Sequence, residues 1–210
     1  KLVPRSLKAN LRMRVKALRA AKENPAIRAG LKEMCRQDIL FYINLLVWQN
    51  NPKKKAGHEV APFITWKFQE RAICSDTPGK EGILWCIENR EDLVIEKARE
   101  MGATWLCLLV PDWLCRFKQY HDSLMMSKSA EAVDNNSRNS LFGKLRFVHE
   151  HLPDWIKGEV TDNKFYRGYD ETNSSILGQA STGKAGVSER CQEMFIDETA
   201  QIKDDWEVVF

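Results

Sequence analysis

The sequence predicts an α/β three-layer sandwich with a mostly parallel central sheet, preceded by a helical N-terminal region. Three observations predict it. The first fifty residues place apolar side chains at helical spacing with few breakers. Beyond them, short apolar runs of strand length alternate with longer helical patterns. Finally, Met194-Phe195-Ile196-Asp197-Glu198 reads as a buried strand ending in two carboxylates. The expected division is residues 1–57 for the helical region and 58–210 for the core.

The elements follow in order. Residues 7 to 23 hold no Gly or Pro and read as a basic helix, interrupted by Asn24-Pro25, where Pro25 suits a first helical position. From Ala26 to Gln49 the residues Leu31, Met34, Cys35, Ile39, Leu40, Ile43, Leu46 and Val47 keep helical spacing. Asn50-Asn51-Pro52 and Lys53-Lys54-Lys55-Ala56-Gly57 form a breaker and loop. Pro62 to Ile73 reads as a short helix or turn, and Ile83 to Ile87 as a short strand. Leu93-Val94-Ile95-Glu96 reads as a second β-rich run, leading through Lys97-Ala98-Arg99-Glu100-Met101-Gly102-Ala103-Thr104 into an apolar helix from Trp105. Leu124 to Ser127 is a strand, Asn139 to His151 an amphipathic helix, and Phe165 to Ala180 a hairpin turning at Asp170 to Asn173. Gly183 to Glu189 is a loop.

At 210 residues, 43% hydrophobic and 29% charged, the chain resembles an ordinary soluble protein with room for a core. No apolar run approaches the ~20 residues a membrane-spanning helix needs. The six cysteines contain no CxxC or CxxH pair, which argues against a zinc site or a secreted disulfide framework and for reduced thiols. A net charge of +3 does not itself imply a polyanion partner. The N-terminal bias is stronger: Lys1, Arg5, Lys8, Arg12, Arg14, Lys16, Arg19, Lys22, Arg28 and Lys32 stand against Glu23 alone. DNA, an acidic partner and a solvated helix face all suit that bias.

Two motifs carry chemistry. In a standard phosphate loop, GxxxxGK[ST], backbone amides cradle phosphates, the lysine reaches the β- and γ-phosphates, and the hydroxyl binds Mg²⁺. Here Gly102 and Thr104 hold the later glycine and hydroxyl positions, Ala103 replaces the lysine, and Lys97 stands at the first glycine. The ammonium then comes from the opposite end of the loop, and Arg99 adds a second cation for charge on the transferring phosphoryl group. An ordinary charged strand–turn–helix is the competing reading. In the second motif, Asp197 at a strand end would hold Mg²⁺ and Glu198 would orient and deprotonate the attacking water.

Together with Asp38 to Pro52 (DILFYINLLVWQNNP), Pro62 to Gln69 (PFITWKFQ), Ser127-Lys128-Ser129, Ser140 to Trp155 (SLFGKLRFVHEHLPDW) and Ser174 to Gly183 (SSILGQASTG), these motifs carry a resemblance. The chain resembles, over about residues 30 to 210, the ATPase domain of the large terminase subunit, the genome-packaging motor of tailed bacteriophages and prophages. The lysine-early loop is the most specific element. The resemblance implies a P-loop NTPase fold of the ASCE/RecA-like type, ATP and Mg²⁺ as cofactors, and hydrolysis coupled to translocation of double-stranded DNA into a procapsid. It implies an adenine-reading role for Gln69 and nucleotide binding by Lys97, Ala98, Arg99, Glu100, Met101, Gly102, Ala103 and Thr104. Thr104 and Asp197 become metal ligands, and Glu198 and Arg99 catalytic groups. Arg190 becomes the arginine supplied to a neighbouring subunit, with Arg138 in reserve. Val187-Ser188 stands where a Gly-Arg pair often follows in the family, which weakens that arginine assignment. Implied partners are the portal protein and the small terminase subunit, with a homo-oligomeric ring on the procapsid and a monomer in isolation. The implied location is the cytoplasm of an infected bacterial host. Ending at Phe210, the chain is expected to stop before the coupling motif and the RNase H-like nuclease domain, so no nuclease activity is expected. A helicase-like nucleic-acid translocase shares the same parts, and a non-catalytic helical adaptor with a degraded loop is the reading that Ala103 motivates.

Overall fold

A computed structural model of the chain describes residues 2–51, 55–96, 98, 101–181 and 190–199. Helix α1 (Leu7–Glu23) is the Gly- and Pro-free basic stretch. Asn24 stops it and caps the next helix, α2 (Pro25–Gln37), its side-chain oxygen accepting from the Ala26 and Ile27 amides at 2.9 and 3.4 Å. The single helical pattern expected from Ala26 to Gln49 breaks at Asp38. The backbone there is extended, and the carboxylate accepts from the Leu40 and Phe41 amides at 2.8 and 3.1 Å, which starts α3 (Ile39–Leu46). Strand β1 (Trp48–Asn50) pairs antiparallel with β2 (Val60–Pro62). Then come α4 (Lys67–Cys74), the small hairpin β3 (Asp76–Thr77) and β4 (Lys80–Glu81), α5 (Ile83–Asn89) and α6 (Ala103–Phe117). The remainder is β5 (Asp122–Ser127), α7 (Ala130–Val133), α8 (Leu141–His151), α9 (Asp154–Lys157), β6 (Val160–Asn163), β7 (Tyr166–Tyr169), β8 (Ser174–Ala180) and β9 (Glu193–Ile196).

The chain is a mixed α/β protein around a five-stranded sheet of order β6-β7-β8-β5-β9. Strand β5 runs parallel to β8 and β9, whereas β6, β7 and β8 form an antiparallel meander. The expected mostly parallel sheet is therefore corrected to a mixed one. The reason is local: a tight turn such as the one between Tyr169 and Ser174 joins only antiparallel neighbours, since a parallel pair needs a long crossover.

Two further expectations change. Ile83 to Ile87 is helical, because Ile83, Leu84 and Ile87 all reach the main apolar cluster and Cys86 is buried, a spacing only a helix satisfies. Leu93 to Glu96 has no strand pairing, and Val94 is 91% exposed. Three apolar residues between Asp92 and Glu96 bury too little to hold a ladder without a partner strand.

The main core joins α2, α3, α6 and α8 through residues such as Cys35, Tyr42, Leu46, Leu109, Leu114 and Val148. A second cluster, including Leu108, Met125, Phe142 and Ile176, fills the space between the sheet and its helices. Of the N-terminal cations, Arg14 is not a surface charge. It is buried, its Nε donates to Asn10 Oδ1 at 2.8 Å, and its Nη2 donates to the carbonyls of Asn44 and Val47 at 2.9 and 3.0 Å. Burial pushes its guanidinium down to about 9, and the contacts pin α1 against α3 and β1. None of the six cysteines forms a disulfide among the described residues. Among the described residues no helix is long and apolar enough to cross a membrane.

A buried polar knot sits at the middle of α6. Asp112, with no exposed surface, accepts from Tyr42 Oη at 2.8 Å, Tyr169 Oη at 2.7 Å and Arg116 Nη2 at 2.9 Å. Arg116 also donates to the Lys157 carbonyl and lies over the Tyr169 ring. Burial pushes the Asp112 carboxyl up, yet the Arg116 charge and the donated hydrogen bonds bring it below its ordinary value. Burial also holds both tyrosines well above theirs.

Candidate functional site

The site forms where α6 begins and where β5 and β9 end. Parallel neighbours end on the same edge of a sheet, the usual position for a ligand in an α/β protein. Gly102 is the residue before α6 and adopts φ 73°, a left-handed backbone that favours glycine. Glycine has no side chain with which to cap the first amides of α6, which carry the positive end of the helix. A β-carbon at Gly102 would come within 2.9 Å of Gln69 Nε2, so glycine also permits a close approach there.

Gln69 lies on α4 and is buried. Its Oε1 accepts from the Trp66 amide at 2.9 Å, and its Nε2 donates to the Met101 carbonyl at 3.0 Å. Both ends of the amide are thus committed to the chain's own backbone and tie α4 to the residue before Gly102.

In the first turn of α6, Thr104 Oγ1 donates to Asp197 across 93 residues of sequence, at 3.1 Å to Oδ2 and 3.3 Å to Oδ1. The Asp197 amide donates to the Met126 carbonyl at 2.9 Å, continuing the β5–β9 ladder one residue past the end of β9. The sheet therefore holds the carboxylate, and the helix brings the hydroxyl to it. Glu198 follows with φ 56°, a left-handed conformation uncommon for a residue with a side chain.

Two lysines outside the expected set complete the cluster. Lys128, the first residue past β5, places Nζ 2.9 Å from Glu198 Oε2. Lys144, in the first turn of α8, donates to the Asn139 carbonyl and lies close to both acids. Burial pushes its ammonium down, while Asp197 and Glu198 push it back up. The signals for these two were weak: Lys128 sits in the Ser-Lys-Ser triplet and Lys144 inside an amphipathic helix, and nothing in the residues alone places either near position 197.

Ala98 is exposed and in irregular structure, Met101 and Ala103 flank Gly102 at partial exposure, and Arg190 is exposed just before β9. Arg138 is exposed, its guanidinium over the Phe147 ring. Lys97, Arg99 and Glu100 lie outside the described residues, as do Lys53, Lys54 and the 183–189 loop.

Thr104 and Asp197 offer hard oxygen donors, the ligand type Mg²⁺ takes when it keeps several waters and fills its shell with substrate phosphates. Among the described residues no group of three or more His, Cys, Asp or Glu side chains is placed to hold a metal. The chain matches no protein-family model and no curated protein.

Proposed function

We propose that the chain is a P-loop ATPase domain of the large-terminase type, using ATP and Mg²⁺ to move double-stranded DNA. The observation that supports this most directly is the Thr104–Asp197 hydrogen bond, which joins the hydroxyl of the lysine-early loop to the first of the paired acids. A loop hydroxyl and a strand-end aspartate meeting at a helix N-terminus is the arrangement with which P-loop NTPases hold Mg²⁺ beside the phosphates.

In this reading Thr104 and Asp197 hold Mg²⁺, which when bound neutralises charge on the phosphate oxygens. The α6 amides and the Lys97 ammonium bind the triphosphate, Arg99 offsets charge on the transferring group, and Glu198 takes the proton of the attacking water. Arg190 serves a neighbouring subunit in a ring, and the portal protein and the small terminase subunit are the assembly partners. A non-catalytic helical adaptor is the second reading, favoured by Ala103 at the usual lysine position and by the unpaired run before the loop.

Titration calorimetry with Mg·ATP tests the proposal. Binding is expected at submillimolar nucleotide. Lys97→Ala should weaken it about tenfold or more, the scale of a charge-assisted contact, while Lys80→Ala on the β3–β4 hairpin should leave it within about twofold. Absence of binding at millimolar Mg·ATP makes the adaptor the better reading, and equal effects of the two lysines mean that the loop is misplaced.

A further inference from the structure

We propose that the outward face of α1 is a docking surface for the phosphate backbone of duplex DNA, bound without regard to base sequence. None of its residues belongs to the nucleotide site, so the surface suits the motor and the adaptor readings alike.

Three observations carry it. At 3.6 residues per turn, Lys8, Arg12, Lys16, Arg19 and Lys22 fall within one arc of about 120° on α1, and all five are exposed. The opposite face carries the buried Asn10, Arg14 and Ala21 and packs on the core through Met13, Ala17 and Leu18. Second, none of the five makes a hydrogen bond or ion pair among the described residues. Nearby cations are engaged. Arg5 pairs with Glu70, and Arg28 Nε donates to the Ala21 carbonyl at 3.1 Å. On α2, Lys32 Nζ lies 3.3 Å from Glu171 Oε2, and Arg36 Nη2 lies 2.6 Å from Glu33 Oε1. Third, the row works against the helix that bears it. Lys8–Arg12 and Arg12–Lys16 are like charges four residues apart, Lys16–Arg19 and Arg19–Lys22 three apart, and each such pair weakens a helix. The first turn holds no acid, and Lys8 sits near the positive end of the dipole.

Charge and scale choose the occupant. From Lys8 to Lys22 the row runs roughly 21 Å along the helix, about the rise of six phosphates on one strand of a duplex. Besides the cations, the arc holds Val15 and Glu23. A protein partner needs an apolar centre to its interface, and one valine supplies little of it. Single strands are gripped by aromatic side chains that stack on bases, and this arc has none. A regular cationic row fits a backbone held by charge and counterion release.

Fluorescence anisotropy with a labelled duplex of about 20 base pairs tests this on the full chain, without nucleotide, between roughly 50 and 200 mM salt. Five phosphate contacts predict a slope of log affinity against log salt of about −4.5, roughly a 500-fold loss across that range. Arg12→Gln with Arg19→Gln removes two contacts and every like-charge pair in the row. It should bring the slope to about −2.7 and raise the thermal midpoint by about 2–4 °C. Lys32→Gln with Arg36→Gln, the same loss of charge on α2, should leave the slope within about 0.5 of wild type. Equal slopes for the two variants, tighter binding of a single strand of the same length, or a lowered midpoint in the α1 variant overturn the inference. Absence of duplex binding at the lowest salt also overturns it, and leaves Mg·ATP binding standing. A chain that binds the duplex but not Mg·ATP loses the motor reading and keeps this surface.

Discussion

Helix α6 carries two charged clusters that differ in almost every physical respect. At its middle, Asp112 is sealed from solvent with two tyrosine hydroxyls and a guanidinium. At its start, Thr104 meets Asp197 beside Glu198, Lys128 and Lys144, all at least partly open to water. In the first cluster three donors fill the Asp112 carboxylate, and burial shuts it away from any ligand, although Arg116 Nε has no partner there. The second is held loosely by pairs that exchange at small cost. Sealed charges therefore mark architecture here, and the half-exposed, cheaply paired ones mark the place where chemistry is expected.

The sharpest way to break that contrast is Asp112→Ala. It strands two buried hydroxyls and the buried Arg116 charge, and should cost about 3–5 kcal/mol in urea unfolding. Asp197→Asn, by contrast, should change stability by less than about 1 kcal/mol. Similar losses for both would erase the distinction. Next in size, Glu198→Gln should slow ATP turnover about a hundredfold while nucleotide stays bound, the scale of a lost general base. Undiminished turnover removes Glu198 from the mechanism.

The smallest effect concerns the edge of the knot. Burial, with help from the nearby Arg167 and Arg116 charges, pushes His149 down to about 4 from its ordinary 6.5. The unfolded chain takes up a proton that the folded chain refuses, so this contribution is full above about pH 6.5 and is lost as pH falls toward 4. The window should show a decline on the order of 1 kcal/mol after solvent screening, and His149→Gln should flatten it. An unchanged slope in that variant assigns the acid sensitivity to other groups.

Much of this was readable from residues. The Gly- and Pro-free stretch is α1, the Asp170–Asn173 turn closes β7 onto β8, and the helix after Gly102 begins where its glycine permits. The meeting of Thr104 with Asp197 was readable because two motifs in a given order imply one sheet edge. Other parts were not. Ile83 to Ile87 is too short for its period to separate strand from helix, and Asp38 looks like one polar residue in a helical face until its carboxylate is seen capping α3. Lys128 and Lys144 were illegible for a different reason. Their roles come from which strands lie side by side, and neither carries a local signal of that.

The proline within α6 does not prevent the helix from running unbroken for fifteen residues, roughly 22 Å, from the Thr104 end to Phe117. Clamped at Asp112, it is a strut with a fulcrum. Its far end bears on the N-terminal helices, where Trp113 Nε1 donates to the Cys35 carbonyl at 2.7 Å and the Phe117 ring meets Tyr42 edge-on. If a load applied at the Thr104 end is delivered to α2 and α3, slowed amide exchange there on adding Mg·AMP-PNP registers it. No change in exchange would make the helix a passive beam.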